Sequence, residues 1–405
     1  MAAERSIAVP LTARRSVVVI SDWIEDGADA VSVPDQAGDR GGPPPLYAVT
    51  GALGTGAVGP VDDVTGGYLE RLPLALVAAG IVEQAEIWHH WRGASEPHFR
   101  QENRVLARRA FRIDADERCR RSTAMEAFVR QFGAPHILVV LGLGVPRSLL
   151  KLCGNSLIIY NSIDAPALRV AHEISECFDL VLTGAEWQSE AVRRRHPGMD
   201  TLVLPIGPEF AAIDQFRPLG IEKDVDLIYV AAAQPYKRHD ILFDALDRLP
   251  RDVRAICVFG YGEDAEALRG RAEALALSIE FVGPPGVPFD EVNRLMNRAR
   301  FGVVCGVDDG APAILTEYML AGLPVLANAE LSCGLQFIVP ETGMTATAQG
   351  FAEAIATMRH TASNYRPRDV VLERWTWPHS VARLGAIVAR LRDAKQQQLS
   401  EGSLA

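Results

Sequence analysis

The residues best suited to chemistry gather in DDGAPAILTEYMLAGLPVLAN, which begins at Asp308. Asp309 and Glu317 have seven residues between them. The apolar run FGVVCG (301–306) ahead of them reads as a strand, VDDGAP as a turn, and AILTEYMLAG as a helix ended by Gly322, a favoured residue after a C-cap. A helix start offers unpaired N–H groups and partial positive charge, which suits a diphosphate. Gly310, Ala311, Pro312, Ala313 and Ile314 form that start. Glu317, about two turns inside, can accept hydrogen bonds from the vicinal hydroxyls of a ribose. Asp309, ahead of the helix, can reach hydroxyls on a group carried beyond the diphosphate. The same spacing also fits an ordinary turn aspartate and a solvated helix glutamate.

Other segments add charge and backbone access. DLIYVAAAQPYKRHDILFDAL puts Lys237 just after one strand and at the start of a helix, where it can act as a point charge on phosphate. A surface lysine would look the same. Gly260 and Gly262 in CVFGYGED, and Gly283 in FVGPPG, follow the next two strands. Gly66 and Gly67 open a helical pattern, GYLERLPLALVAAG, where a backbone can approach a ligand closely. Such glycines also serve simple helix–strand packing. His89 and His90 in EIWHHWRG, and Asn161 and Asp164 in YNSIDAP, stand at strand ends and are candidates for acceptor or sugar contacts.

The elements that must position these residues form two series. Apolar runs at 46–50, 86–91, 136–143, 156–161, 180–184 and 201–207 alternate with amphipathic stretches. Most are apolar throughout, as strands covered on both faces are. A polar, Pro-bearing linker at 208–225 follows, and the pattern restarts with runs at 226–233, 254–260, 279–283, 301–306 and 323–328. Strand and helix in alternation predict parallel sheets. The expected organisation is an irregular N-terminal extension (1–45, in which VVVISDWI can be a strand), an α/β domain at 46–207 and a second at 226–375. A helix at 376–395 and a tail at 396–405 complete it. Ligands of open α/β sheets bind beyond the C-terminal strand ends, here a cleft between the domains.

Composition narrows the class. The chain has 405 residues, 48% of them hydrophobic, and a net charge of -10, which argues against a general nucleic-acid binder. The sequence contains neither a transmembrane-length apolar run nor an N-terminal signal pattern, so a cytoplasmic protein is expected. The six cysteines lack paired spacing, which predicts reduced thiols and neither disulfides nor a zinc site.

Taken together, these segments resemble the retaining glycosyltransferases of family 4, whose fold is GT-B: two Rossmann-like parallel-sheet domains facing a cleft, with a C-terminal helix crossing back. The resemblance runs from about residue 46 to 395 and is strongest over 226–345. The family's two glutamates separated by seven residues match Asp309 and Glu317, and its phosphate-binding lysine matches Lys237. VFGYGED and IEFVGPPG are similar to its nucleobase segments, CGLQFIVPETG to its closing segment, and Gly66-Gly67 to its first long helix. The resemblance implies a UDP- or GDP-sugar donor, a hydroxyl acceptor (saccharide, lipid-linked or small molecule), retention of configuration, and no cofactor or metal. Three departures stand out. The first acidic residue is Asp, one methylene short. AAAQPY lacks the Arg that precedes the family's lysine, leaving Gln234 as a partial substitute. The turn after HILVVLGLG lacks a His. A GT-B epimerase, a phosphorylase or a non-catalytic sugar-nucleotide binder therefore stays open, as do donor, acceptor and oligomeric state.

Overall fold

The computed structural model describes residues 15–25, 64, 66–92, 99–114, 121–142 and 145–402. The expected strand at 46–50 lies outside them, as do Leu143, Gly144 and Cys119.

Two sheets organise the described residues. The first has eight strands: β1 (Ser16–Glu25), β2 (Gln84–Trp91), β3 (Phe99–Gln101), β4 (Leu106–Arg112), β5 (Ile137–Leu141), β6 (Leu157–Asn161), β7 (Leu180–Thr183) and β8 (Asp200–Val203). Their spatial order is β3-β4-β2-β1-β5-β6-β7-β8. The second has six: β9 (Val225–Val230), β10 (Ala255–Val258), β11 (Ile279–Val282), β12 (Ala299–Val304), β13 (Val325–Asn328) and β14 (Gly343–Ala346), ordered β11-β10-β9-β12-β13-β14. Every pairing is parallel except β3 with β4. This is the expected pair of parallel-sheet α/β domains, with both faces of each sheet covered by apolar clusters.

The first domain differs from the sequence expectation in two places. Residues 16–25, assigned to an irregular extension, form the central strand β1 between β2 and β5, so the domain reaches back past residue 46. The core of that strand, Val17 to Ile20, is fully buried, which VVVI alone already suits. Strand β4, LARRAFR, was not expected because two arginines interrupt it. Both are balanced in place: Arg108 pairs with Glu70 and Glu102, and Arg109 pairs with Glu86 at 3.0 Å.

The C-terminal helix Trp377–Gly402 leaves the second domain and packs on the first. Val381, Leu384 and Val388, a helical i, i+3, i+7 stripe, enter the first domain's core. Ion pairs fix its exposed flank: Arg383 to Glu209 at 2.9 Å, Arg390 to Asp200 at 2.6 Å and Lys395 to Asp179 at 2.7 Å. No helix among the described residues is long and apolar enough to cross a membrane. The five described cysteines are unpaired, four of them buried.

Leu384 has no solvent exposure. Leu384→Ala is expected to destabilise the first domain by about 2–5 kcal/mol, the range for emptying a buried leucine site. Urea unfolding measures it, and a change below about 0.5 kcal/mol, as at a surface site, would mean the helix is not docked in solution.

Candidate functional site

The C-terminal ends of β9 and β12 bring two of the expected residues together. After β9 the chain makes a single 3-10 turn, Pro235–Lys237, pinned by the Tyr229 hydroxyl, which donates to the Lys237 carbonyl at 2.6 Å. The turn aims the Lys237 ammonium at Asp309 in the loop after β12, and the two form a direct ion pair. Both side chains are about one-tenth exposed, at 10% and 12%, so the pair lies in the cleft but is not sealed from it. The short Asp309 side chain therefore reaches the lysine, not open solvent. The Tyr236 ring lies 4.8 Å from the ammonium. Burial, with the Asp309 charge adding, pushes Tyr236 up to about 12. Burial also pushes Tyr261 up. Both phenols thus remain protonated donors at neutral pH.

Glu317 is placed differently from the expectation. Ala311 takes a positive φ of 73° and Pro312 follows it, so the helix starts only at Ile314 and runs to Leu320. Glu317 therefore lies in the first turn, not two turns inside, and the helix is seven residues long. Its side chain is 1% exposed and pairs with Arg71 of the first domain at 2.7 Å. Gly322 adopts φ +85 after the last turn, as a residue past the C-cap does.

The two domains meet along the Asp309 loop. Gly310 lies so close to the Ile163 carbonyl and the Asp164 nitrogen that any side chain there would collide with them. Gly207 faces Ala313 across the same seam. The Thr316 hydroxyl donates to the Pro208 carbonyl at 2.7 Å, Trp187 Nε1 to the Ser332 carbonyl at 2.7 Å, and Gln336 Nε2 to the Gly184 carbonyl at 2.8 Å. Asp164 is thus at the cleft, where its carboxylate pairs with Arg169 at 3.2 Å.

The remaining expected residues divide. Gly260 and Gly283 follow β10 and β11, on the Lys237 side of the second sheet, and Gln234 caps the turn that carries Lys237. Gly66, at φ +97, and Gly67 form a turn before the helix Arg71–Ala78, and the Gly67 N–H donates to Glu70 at 2.8 Å. His89 belongs to the support of that turn: its Nε2 lies 3.0 Å from Arg108, which pairs with Glu70. His90 is fully buried on β2. Asn161, at the end of β6, is fully buried, and its side-chain amide makes no hydrogen bond within the protein. Among the described residues no group of three or more His, Cys, Asp or Glu gathers as a metal site.

Sequence reading missed Arg71, Tyr236 and Tyr261. Each left a trace: a lone arginine opening the apolar RLPLALVA, a tyrosine beside the key lysine, and another between Gly260 and Gly262.

Comparison with known proteins bears on the family and the fold. Residues 212–358, which hold Lys237, Asp309 and Glu317, match the family model for glycosyl transferases group 1. A GDP-mannose-dependent alpha-(1-6)-phosphatidylinositol monomannoside mannosyltransferase from Mycolicibacterium smegmatis is 26% identical over 225 residues, 51% of this chain and 59% of the relative. The aligned region thus spans less than two thirds of that relative. Among solved structures, a sucrose-phosphate synthase from Thermosynechococcus elongatus superposes with a TM-score of 0.65 at 18% identity, covering 94% of this chain and all of that one. HepE of Anabaena in complex with UDP and glucose gives 0.58 at 14%, covering 96% and 100%. These structures share the GT-B fold found here. The family match and the mannosyltransferase relative support a glycosyltransferase.

His239, two residues past Lys237, is buried between Tyr229 and Phe259. Burial, with the Lys237 charge adding, holds its imidazole down at about 4. As pH falls through about 6.5 the unfolded imidazole takes a proton, while the folded one does not until about 4, so stability is lost across that window. His239→Gln is expected to lose about 2 kcal/mol less than the wild type between pH 7 and pH 5. Urea unfolding at both pH values measures this, and equal losses would mean His239 is not buried as the neutral form.

Proposed function

We propose that this chain is a retaining glycosyltransferase that moves a sugar from a nucleoside diphosphate sugar to a hydroxyl acceptor without a metal ion. The observation that carries the reading is the Lys237 ammonium held at the cleft against Asp309, inside the segment that matches the glycosyl transferase family. The second domain binds the donor and the first presents the acceptor.

The chemistry follows from what each group can donate or accept. An ammonium has three donors, so Lys237 can keep Asp309 and still bind an oxygen of the diphosphate. Negative charge grows on that oxygen as the bond from the anomeric carbon to phosphate breaks. A fixed cation there stabilises the transition state more than the bound donor, which is what raises a rate. The acceptor oxygen forms its bond to the anomeric carbon on the same face, and its proton passes to the departing phosphate oxygen. No separate protein base is needed for that transfer. Asp309, kept in place by Lys237, orients the sugar hydroxyls, and the Tyr236 and Tyr261 hydroxyls add neutral donors beside the same charge.

The relatives suggest which donors to try first. GDP-mannose is used by the mannosyltransferase relative, and HepE was solved with UDP and glucose. GDP and UDP are expected to bind with an affinity that EDTA leaves unchanged, as calorimetry reads directly. Binding abolished by the chelator would contradict the metal-free reading. Turnover of GDP-mannose and UDP-glucose with a pool of hydroxyl acceptors, followed by NMR of the product anomer, then separates the alternatives. A transferase gives the α-linked product. An epimerase consumes donor without acceptor, and a binding protein consumes nothing.

A further inference from the structure

The Lys237–Asp309 pair uses only part of what its two side chains offer. The ammonium donates to Asp309 Oδ2. Oδ1 has no hydrogen-bond partner among the described residues and is not buried, since the side chain keeps 12% of its surface exposed. The charge at this point is also even, one ammonium against one carboxylate. Gln234, which caps the turn carrying Lys237, is neutral, and the residues before it are three alanines. Arg238, next in the chain, is occupied by Asp240 at 2.8 Å, and Arg169 by Asp164 at 3.2 Å. Asp308, beside Asp309, is exposed and adds a further carboxylate to the loop. A site built only to collect anions gains nothing from a carboxylate on its lysine, because the carboxylate repels the phosphate that the ammonium attracts.

We propose that Asp309 is a specificity-determining residue: its carboxylate, held on Lys237, favours the sugar-bearing diphosphate over the same diphosphate without its sugar. The two ligands differ in charge. In the donor the outer phosphate is a singly charged diester. Once the sugar has left it is a terminal phosphate, which carries up to about two charges at neutral pH. The added charge appears where the sugar was attached, beside the carboxylate that oriented the sugar. Sugar hydroxyls can donate to Oδ1, whereas an ionised phosphate oxygen has no proton to give and is repelled. Lys237 does not cancel this difference, since the ammonium attracts both ligands. Nor does the carboxylate oppose transfer, because the acceptor's proton passes to the departing oxygen, and the full charge appears only when that proton is lost from the product. Like charges a few ångströms apart at a partly buried site weaken binding by about tenfold to a hundredfold. The same repulsion speeds departure of the spent nucleotide. This inference rests on the nucleotide-sugar reading and extends it from holding the donor to rejecting the product.

The test compares GDP and UDP with their β-methyl esters by calorimetry, on the wild type, Asp309→Asn and Asp309→Ser. The esters have the donor's charge and no sugar, so they separate repulsion of the product from attraction of the sugar. The wild type is expected to bind the ester of the nucleotide it uses about tenfold or more tightly than the free diphosphate. Either variant should bring that ratio close to unity, chiefly by tightening the free diphosphate. A carboxylate that merely neutralises Lys237 gives a different result: without it both ligands tighten together and the wild-type ratio persists, which overturns the inference. A wild type that binds the free diphosphate as tightly as its ester overturns it too, without recourse to a variant, and leaves the glycosyltransferase reading in place. A wild type that binds none of these ligands overturns both.

Discussion

Lys237 sits in the cleft with its ammonium against the Asp309 carboxylate, and a charge so placed has to be balanced whether or not a ligand is present. Much of the surrounding architecture follows from that need. The 3-10 turn after β9 and the Tyr229 hydroxyl fix the backbone of the lysine. The loop after β12 brings the carboxylate to it. The aspartate is short, so it reaches the lysine only because the two strand ends, β9 and β12, are neighbours in the sheet. An arriving diphosphate thus meets a cation already aimed, not a flexible lysine that must be ordered first, and ordering costs are a large part of weak binding.

The second constraint is closeness of backbones. Gly310 lies against residues 163 and 164, and Gly207 lies against Ala313, so the two domains approach through main chain at the very loop that carries Asp309. Any motion of one domain against the other therefore moves the Asp309 loop relative to the first domain. The interdomain bonds from Thr316, Trp187 and Gln336 are single hydrogen bonds, each worth about 1 kcal/mol net. The buried Arg71–Glu317 ion pair crosses the same seam. The C-terminal helix, buried by its apolar stripe in the first domain's core, is a firmer tie between the two halves.

Much of this was legible in the sequence for physical reasons. Strands such as ILVVL, LIIYN and VDLIYV are apolar on both faces because both faces are covered, and that pattern needs no tertiary knowledge. Lys237 and Asp309 were found because each follows such a strand. What stayed hidden depends on partners distant in the chain. LARRAFR reads as a surface segment until Glu70, Glu86 and Glu102 are brought to its arginines. The helix start was misplaced because Ala311 takes a positive φ, which alanine's own preference does not suggest. Arg71 is 246 residues from Glu317, and nothing local links them. The central place of β1 was obscured because the segment after it is rich in Gly, Pro and Asp, which drew the domain boundary too late.

The claim at the centre of this account is that the Lys237 charge acts on the breaking bond. The most direct measurement is turnover of Lys237→Ala beside its donor affinity and melting curve, on the donor the wild type uses. The account predicts a folded protein whose donor affinity falls modestly while kcat falls on the order of a hundredfold to a thousandfold, the usual cost of removing one preorganised charge-stabilising group. A folded Lys237→Ala enzyme with near-normal kcat would contradict it.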